Sequence, residues 1–474
     1  MPHLPRRCLP LAVACLLAAC GSSPDRPTDP GGIPPEAGAF LDTLDQRTFA
    51  FFWERSDPAT GLTPDRWPTP SFSSVAAIGF ALTAYPVGIE HQYITRAEGA
   101  ARTLATLQFL WHAPQGPGSA GIAGYQGFFY HFLDMASGLR YRDVELSTVD
   151  TALLLAGALF CQQYFDGAGA DEAEIRALAD SLYRRVNWQW AATRHPPLVA
   201  MGWRPEDGWT PLDWNGYNEA MLVYLLGLGS PTFPLDSAAW PAWTSTYTWG
   251  SYYGQDHVGF APLFGHHYSQ TWVDFRGIQD AYMRARGIDY FENTRRATLA
   301  QRRYAIDNPM GWRGYGESLW GLSASDGPLD TTLAVNGTPR RFFTYAARGA
   351  SYTEVRDDGT LAPTAAGGSL PFAPEVVLPA LLEMRRRYGD RLFGQYGFLD
   401  AFNPTYRFAT RAQHGVIVAD TGWFDTDYLG IDQGPILAMS ANYRSDLVWK
   451  YMRKSPYLVT GLKRAGFSGG WLTP

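Results

Sequence analysis

The sequence predicts an all-α fold, an (α/α)6 barrel of about twelve helices in antiparallel pairs, with long loops forming a cleft at one end. Three observations carry this reading. From Phe40 onward the apolar residues recur at helical rather than alternating spacing. Gly-, Pro- and Asp-rich stretches separate the periodic segments. The 474 residues contain no long linker after residue 35, so the folded part reads as one large domain. Periodicity alone would equally allow an α-solenoid, although no motif repeats at a fixed length.

In chain order, the spacing predicts helices over 40–55, 73–84, 95–111, 148–164, 171–190, 216–226, 271–286, 291–306, 374–388 and 434–452. Two more fit within the loops. The stretches 113–143 and 311–373 are long enough that a functional role is expected of them.

Ahead of the helices, Arg6 and Arg7 precede an apolar segment, 9–19, too short to span a membrane and typical of a signal peptide. Leu17-Ala18-Ala19-Cys20 resembles a bacterial lipobox. Residues 1–19 are therefore expected to be removed, Cys20 to be lipidated, and 20–35 to form a Pro/Gly/Ser-rich tether before a catalytic domain over 36–474. An ordinary secretory signal is the alternative. Gly21 after the cysteine points to the outer membrane, at its periplasmic face or the cell surface, and the lipid anchor is the only membrane contact expected. Cys161 is then the one cysteine of the folded part. Its apolar surroundings make it a small buried hydrophobe, and no intradomain disulfide can form.

With 39 Lys plus Arg against 45 Asp plus Glu, the net charge is -6, and the longest basic run is Arg385-Arg386-Arg387. Nucleic acid is a poor partner for such a surface. Aromatic residues make up 15% of the chain, with 17 Trp and 26 Tyr, which suits a protein that handles carbohydrate. A monomer is expected.

The stretch WRPEDGWTPLDWNGYNEAMLVYLL, residues 203–226, sets Trp203, Trp209, Trp214 and Tyr217 among Glu206, Asp207, Asp213 and Glu219. Flat apolar rings beside acids suit glycosidic cleavage, because pyranose faces stack on aromatics and carboxylic acids move the protons. A buried corner would have the same composition.

Several blocks carry a family resemblance. APLFGHHYSQTWVDFRG (261–277), GYGESLWGLSASDGP (314–328), GTLAPTAA (359–366), YGFLDAFNP (396–404) and GIDQGPILAM (430–439) resemble, in order, the bacterial glycoamylase-like proteins of glycoside hydrolase family 144. The resemblance covers most of 40–467. It implies an (α/α)6 barrel and endo-acting, inverting hydrolysis of β-1,2-glucans. One position departs: Gln270 stands where the Tyr-Ser-His-x-Trp pattern has a second His, which would bear on a subsite.

Inverting glycosidases need a protonated acid and a water-activating carboxylate about 6.5–9.5 Å apart. By resemblance Glu219 is the general acid and Asp432 the base, with Asp427 in reserve. Trp residues near Glu219 would raise its pKa by desolvation. A helix starting near Gly216 would place it in the first turn and lower its pKa instead, or make it a capping carboxylate. Asp432, two residues before Gly434-Pro435, has an N-cap as its alternative.

Asp143 and Asp150 are expected to border the cleft, although Ser147 and Asp150 also fit a capping box. Asn218, Tyr268, Trp272, Trp312 and Gln433 join Trp203, Trp209, Trp214 and Tyr217 as substrate-binding candidates, and many of these aromatics have core packing as their alternative. His266 and His267 are adjacent and point to different faces, so they could not easily share a metal, but one of them is expected to touch sugar. Glu317 is read as a glucose hydroxyl partner or as a salt bridge to Arg313. No metal motif occurs and no cofactor is expected. Rival readings are a hydrolase of the same fold that is exo-acting or cleaves another glucan linkage, and a noncatalytic surface lipoprotein that captures glycan.

Overall fold

Six helices are buried on nearly every side, most of them because they are apolar all round. They are Val75–Glu90, Thr148–Tyr164, Met221–Gly229, Phe264–Trp272, Pro363–Gly367 and Gly430–Ser445. Every residue of Met221–Gly229 and Pro363–Gly367 is buried, as are 14 of the 16 in Val75–Glu90. These six form the inner ring of an (α/α)6 barrel. The computed structural model describes residues 33–473, so the predicted signal, Cys20 and most of the tether lie outside the described residues. None of the described helices is long and apolar enough to cross a membrane.

The outer helices show one apolar stripe each. Only 6 of 17 residues of Arg96–His112 and 4 of 15 of Ala170–Arg184 are buried, so these helices cover the ring on one side and meet water on the other. Pro35–Arg55, Tyr290–Asp307 and Pro374–Tyr388 take the same role, and the C-terminal helix Pro456–Arg464 packs on Met221–Gly229. Two inner helices meet at Gly79 and Gly157, with no room between them. A Cβ on Gly157 would lie 2.1 Å from the carbonyl oxygen of Gly79, and one on Gly79 would lie 2.4 Å from that of Leu153.

Short strands, none longer than five residues, decorate the loops that precede the inner helices. The largest sheet joins Gly124–Tyr125, Phe128–Tyr130, Leu146–Ser147, Gly202–Arg204 and Gly208–Trp209. It pairs Leu146 with Trp203 and Tyr130 with Leu146, which brings three distant loops to one end of the ring.

Three predicted boundaries are corrected. The helix expected from 216 begins at Met221, because Gly216 has φ +68 and Asn218 Oδ1 accepts from Ala220 N at 3.0 Å, making a local turn first. The helix expected over 271–286 is two, Phe264–Trp272 and Ala281–Arg286, divided by a loop in which Gly277 is left-handed and Asp280 caps the second. The helix expected over 434–452 starts at Gly430, a turn before Pro435, and stops where Asp446 turns left-handed at φ +59.

Candidate active site

Three carboxylates converge at the N-terminal end of the inner ring. Asp150 sits in the first turn of Thr148–Tyr164, Glu219 two residues before Met221–Gly229, and Asp432 in the first turn of Gly430–Ser445. Tyr268, on a fourth inner helix, lies within range of all three. Its hydroxyl is pushed well above its usual pKa, by burial first and then by the charges of Asp432, Tyr345, Glu219 and Asp150.

Glu219 does not cap its helix: the N-cap position is Ala220, no side chain caps the end, and Glu219 Oε2 has no hydrogen-bond partner. The side chain keeps part of its surface open although protein surrounds it closely. Burial therefore raises its carboxyl to about 7, with Asp150 adding to the effect and a hydrogen bond from its own backbone opposing it.

Asp432 is 4% exposed and is not the N-cap either, since the helix begins two residues earlier. A first-turn carboxylate is favoured by the helix dipole. Burial outweighs that here and raises it to about 7; the charges of Asp326 and Asp65 work in the same direction, and a hydrogen bond with Asp400 works against it. Asp427 is held differently. Its Oδ1 accepts from Thr69 N at 3.0 Å and its Oδ2 lies 3.7 Å from Arg66, so both oxygens are engaged in holding the loop.

Asp150 makes one half of the predicted capping box. Its backbone N–H is capped by Ser147 Oγ at 3.2 Å, and its carboxylate accepts the Ser147 hydroxyl. That carboxylate also lies 3.6 Å from His131 Nε2, while His131 Nδ1 is 2.9 Å from Glu145 Oε1. Burial opposes a charged ring, yet Asp150, Glu145 and Asp65 together raise His131 to about 9. Asp143 is exposed on its loop, and Glu145 is the acid of that segment that faces inward.

The aromatic candidates divide. Trp203 and Trp209 are half-buried on the hairpin, with Trp190 between them at 5.6 and 4.2 Å. The others are core. Trp214 donates to Thr148 Oγ1 at 2.9 Å, Trp272 to Thr83 Oγ1 at 3.0 Å and Trp312 to Asp357 Oδ2 at 2.8 Å. Tyr217 stacks on Tyr290 with ring centres 5.9 Å apart, and Asn218 is spent on the local turn.

His266 and His267 are each 1% exposed and meet Phe260 O and Ser369 Oγ, so neither reaches sugar. Burial lowers both, His266 to about 3, and they are neutral core residues. Gln270 is buried too and donates to Tyr290 O at 3.0 Å, which places the departure from the family pattern away from any subsite. Gln433 donates to Phe398 O at 2.7 Å. Glu317 is exposed without a salt bridge, and Arg313 instead donates to Asp420 O.

Other residues around the acids gave no signal in the sequence. Phe72 and Phe132 meet in a tilted pair with ring centres 4.0 Å apart, with Tyr141 4.8 Å from Phe72, and all three keep part of their surface open. Tyr345 is 59% exposed beside Asp432, Asp400 and Asp326. Arg66 donates to Asp326 Oδ2 at 2.5 Å. Carboxylate oxygens of Asp326, Asp400 and Asp425 lie within 4.8 Å of one another. A separate cavity of about 660 Å³ opens at the far end of Gly430–Ser445, lined by Arg444 and Trp449, and contains none of these acids.

Comparison with known proteins agrees with this architecture. The glycoamylase family model matches residues 211–456. An exo-β-1,2-glucooligosaccharide sophorohydrolase of Parabacteroides distasonis is 30% identical over 457 residues, 90% of this chain, which spans 57% of that relative's length. A Bacteroides uniformis crystal structure titled "putative glucoamylase" superposes with a TM-score of 0.78 at 32% identity, covering 93% of this chain and all of that one. An endo-β-1,2-glucanase from Chitinophaga pinensis, solved with sophorotriose and glucose, gives 0.78 at 28% identity over 93% of this chain and all of that one. The protein belongs to the glycoamylase family, in keeping with the resemblance carried by the blocks at 261–277, 314–328 and 430–439.

Proposed function

We propose that the protein is an inverting hydrolase of β-1,2-glucans, with Glu219 as general acid and Asp432 as general base. One observation carries the reading: the half-buried Glu219 at the ring's mouth has a carboxyl raised to about 7, with one buried oxygen free of a partner, and so stays largely protonated up to near-neutral pH. The linkage is supported by the relatives, one named for β-1,2-glucooligosaccharides and one for β-1,2-glucan.

In this reading the protonated Glu219 donates to the glycosidic oxygen. Asp432 takes the proton of a water that attacks the anomeric carbon from the opposite face, and the configuration inverts. The half-buried rings of Phe72, Phe132, Trp203 and Trp209 offer faces for glucose to stack on.

We favour endo action. Exo release of a disaccharide is the second reading, supported by the sophorohydrolase relative. Incubation with linear β-1,2-, β-1,3-, β-1,4- and α-1,4-glucans, with products followed over time, tests all of this. Endo action gives a falling ladder of β-1,2-oligosaccharides, whereas exo action gives disaccharide from the first time point. Cleavage of another linkage, or binding without cleavage, removes the proposal. We further propose a lipoprotein attached to the outer membrane through Cys20, from the lipobox-like Leu17-Ala18-Ala19-Cys20 and Gly21. Lipid labelling that Cys20→Ala leaves unchanged would sink that part.

A further inference from the structure

Asp326, Asp400 and Asp425 come from three separate loops and are 3%, 2% and 1% exposed. The backbone decides which oxygen of two of them is engaged. Asp400 Oδ2 accepts from Asp326 N at 2.7 Å, and Asp425 Oδ1 accepts from Thr426 N at 2.6 Å and Asp427 N at 3.2 Å. The other oxygens, Asp400 Oδ1 and Asp425 Oδ2, are buried with no hydrogen-bond partner.

A fourth carboxylate, from a different element, lies near enough for its charge to act on Asp400: that of Asp432, whose Oδ2 is likewise buried and unpartnered. Unmade interactions of buried polar atoms are costly, and such oxygens on neighbouring acids call for a shared partner. The local charge is also unbalanced. Asp65, Asp326 and Asp427 lie against Arg66, whose charge also acts on Asp400 and Asp432, and His131 acts on Asp65, whereas nearby Arg348 is committed to Asp358 at 2.7 Å.

We propose that Asp326, Asp400 and Asp425 bind a divalent cation of the hard, oxygen-preferring class, best matched by Ca²⁺. Oxygens within 4.8 Å of one another are close enough to converge on one ion, and carboxylates from separate segments suit the flexible, high-coordination shell of Ca²⁺ better than the strict octahedron of Mg²⁺. The donor set is all oxygen, which excludes soft metals. The ion would tie the loops carrying 326, 400 and 425 together beneath Asp432 and offset the charge there.

The test is calorimetric titration of chelator-treated protein with CaCl₂, together with its melting temperature. One saturable site is expected, with Tm raised by roughly 3 °C at about 100 times Kd for a domain of this size. Asp425→Asn should weaken binding by about 10-fold or more. Crystals soaked in MnCl₂ should show an anomalous peak among the three carboxylates, an arm that needs no variant to fold. Absence of both heat and Tm shift in the millimolar range would mean that protons, not a cation, neutralise the cluster, and would overturn the proposal. Equal binding by Asp425→Asn, or a Mn²⁺ peak elsewhere, would do the same. None of these readouts involves glucan, so the hydrolase reading stands or falls separately.

Discussion

The Ser269 hydroxyl donates to the backbone carbonyl of Glu219 at 2.8 Å and accepts from Leu222 N at 3.0 Å, bridging one inner helix to the turn before another. The proposed acid is thus held through its main chain, leaving its side chain free to exchange a proton. Ser269→Ala leaves these two backbone groups only their long contact with each other, Leu222 N to Glu219 O at 3.4 Å, at a position only 3% exposed. It should cost about 1–3 kcal/mol of stability and lower kcat more than it raises KM, as thermal melts and steady-state kinetics on β-1,2-glucan would show.

Glu219→Gln keeps the volume but supplies no acidic proton. Turnover should fall by about 100-fold or more with the fold intact. Near-wild-type activity at unchanged melting temperature would remove Glu219 from the role.

Asp432 and Asp427 separate in the same kind of experiment. Asp432→Asn should lose about 100-fold or more in turnover, whereas Asp427→Asn should mainly cost stability, about 1 kcal/mol, through its weakened hold on Thr69 and Arg66. The opposite pattern would make Asp427 the base.

The pH dependence follows from two carboxyls raised to about 7. Activity should fall above neutral pH as Glu219 ionises and below it as Asp432 takes a proton, so kcat/KM should trace a narrow bell centred near 7. Stability has its own sign. Glu219 and Asp432 hold protons in the folded protein that the unfolded chain has released by neutral pH, and His131, raised to about 9, does the same above its unfolded value near 6.5. The folded state therefore binds more protons, and Tm should drop as pH rises from 6.5 to 9. A Tm that climbs over that interval would contradict these environments.

Helix interiors were legible in the sequence, and the site was legible only in part. Thr148–Tyr164 and Pro374–Tyr388 match the predicted spans to the residue, because an uninterrupted apolar rhythm ended at clear breakers. Asp432 failed as an N-cap because Gly434-Pro435 resembles a helix start, whereas here Pro435 lies inside the helix. The rings at 214, 217, 272 and 312 are chemically indistinguishable from sugar platforms until burial is known. His131, Tyr345 and the acids at 326, 400 and 425 sit in loops and short strands without periodicity. Only closure of the ring brings them together.

The contact between Gly79 and Gly157 gives the molecule an uneven tolerance for change. Two backbones already touching leave no slack for even a methyl group, so these two positions of the ring are confined to glycine. The loops that precede its helices meet the same limit only at single points, such as Gly124 against Phe128 O and Gly349 against Ala261. New glycan preferences in proteins of this shape should therefore arise from grafts into 113–143 and 311–373, with the inner scaffold as the fixed frame onto which specificity is exchanged.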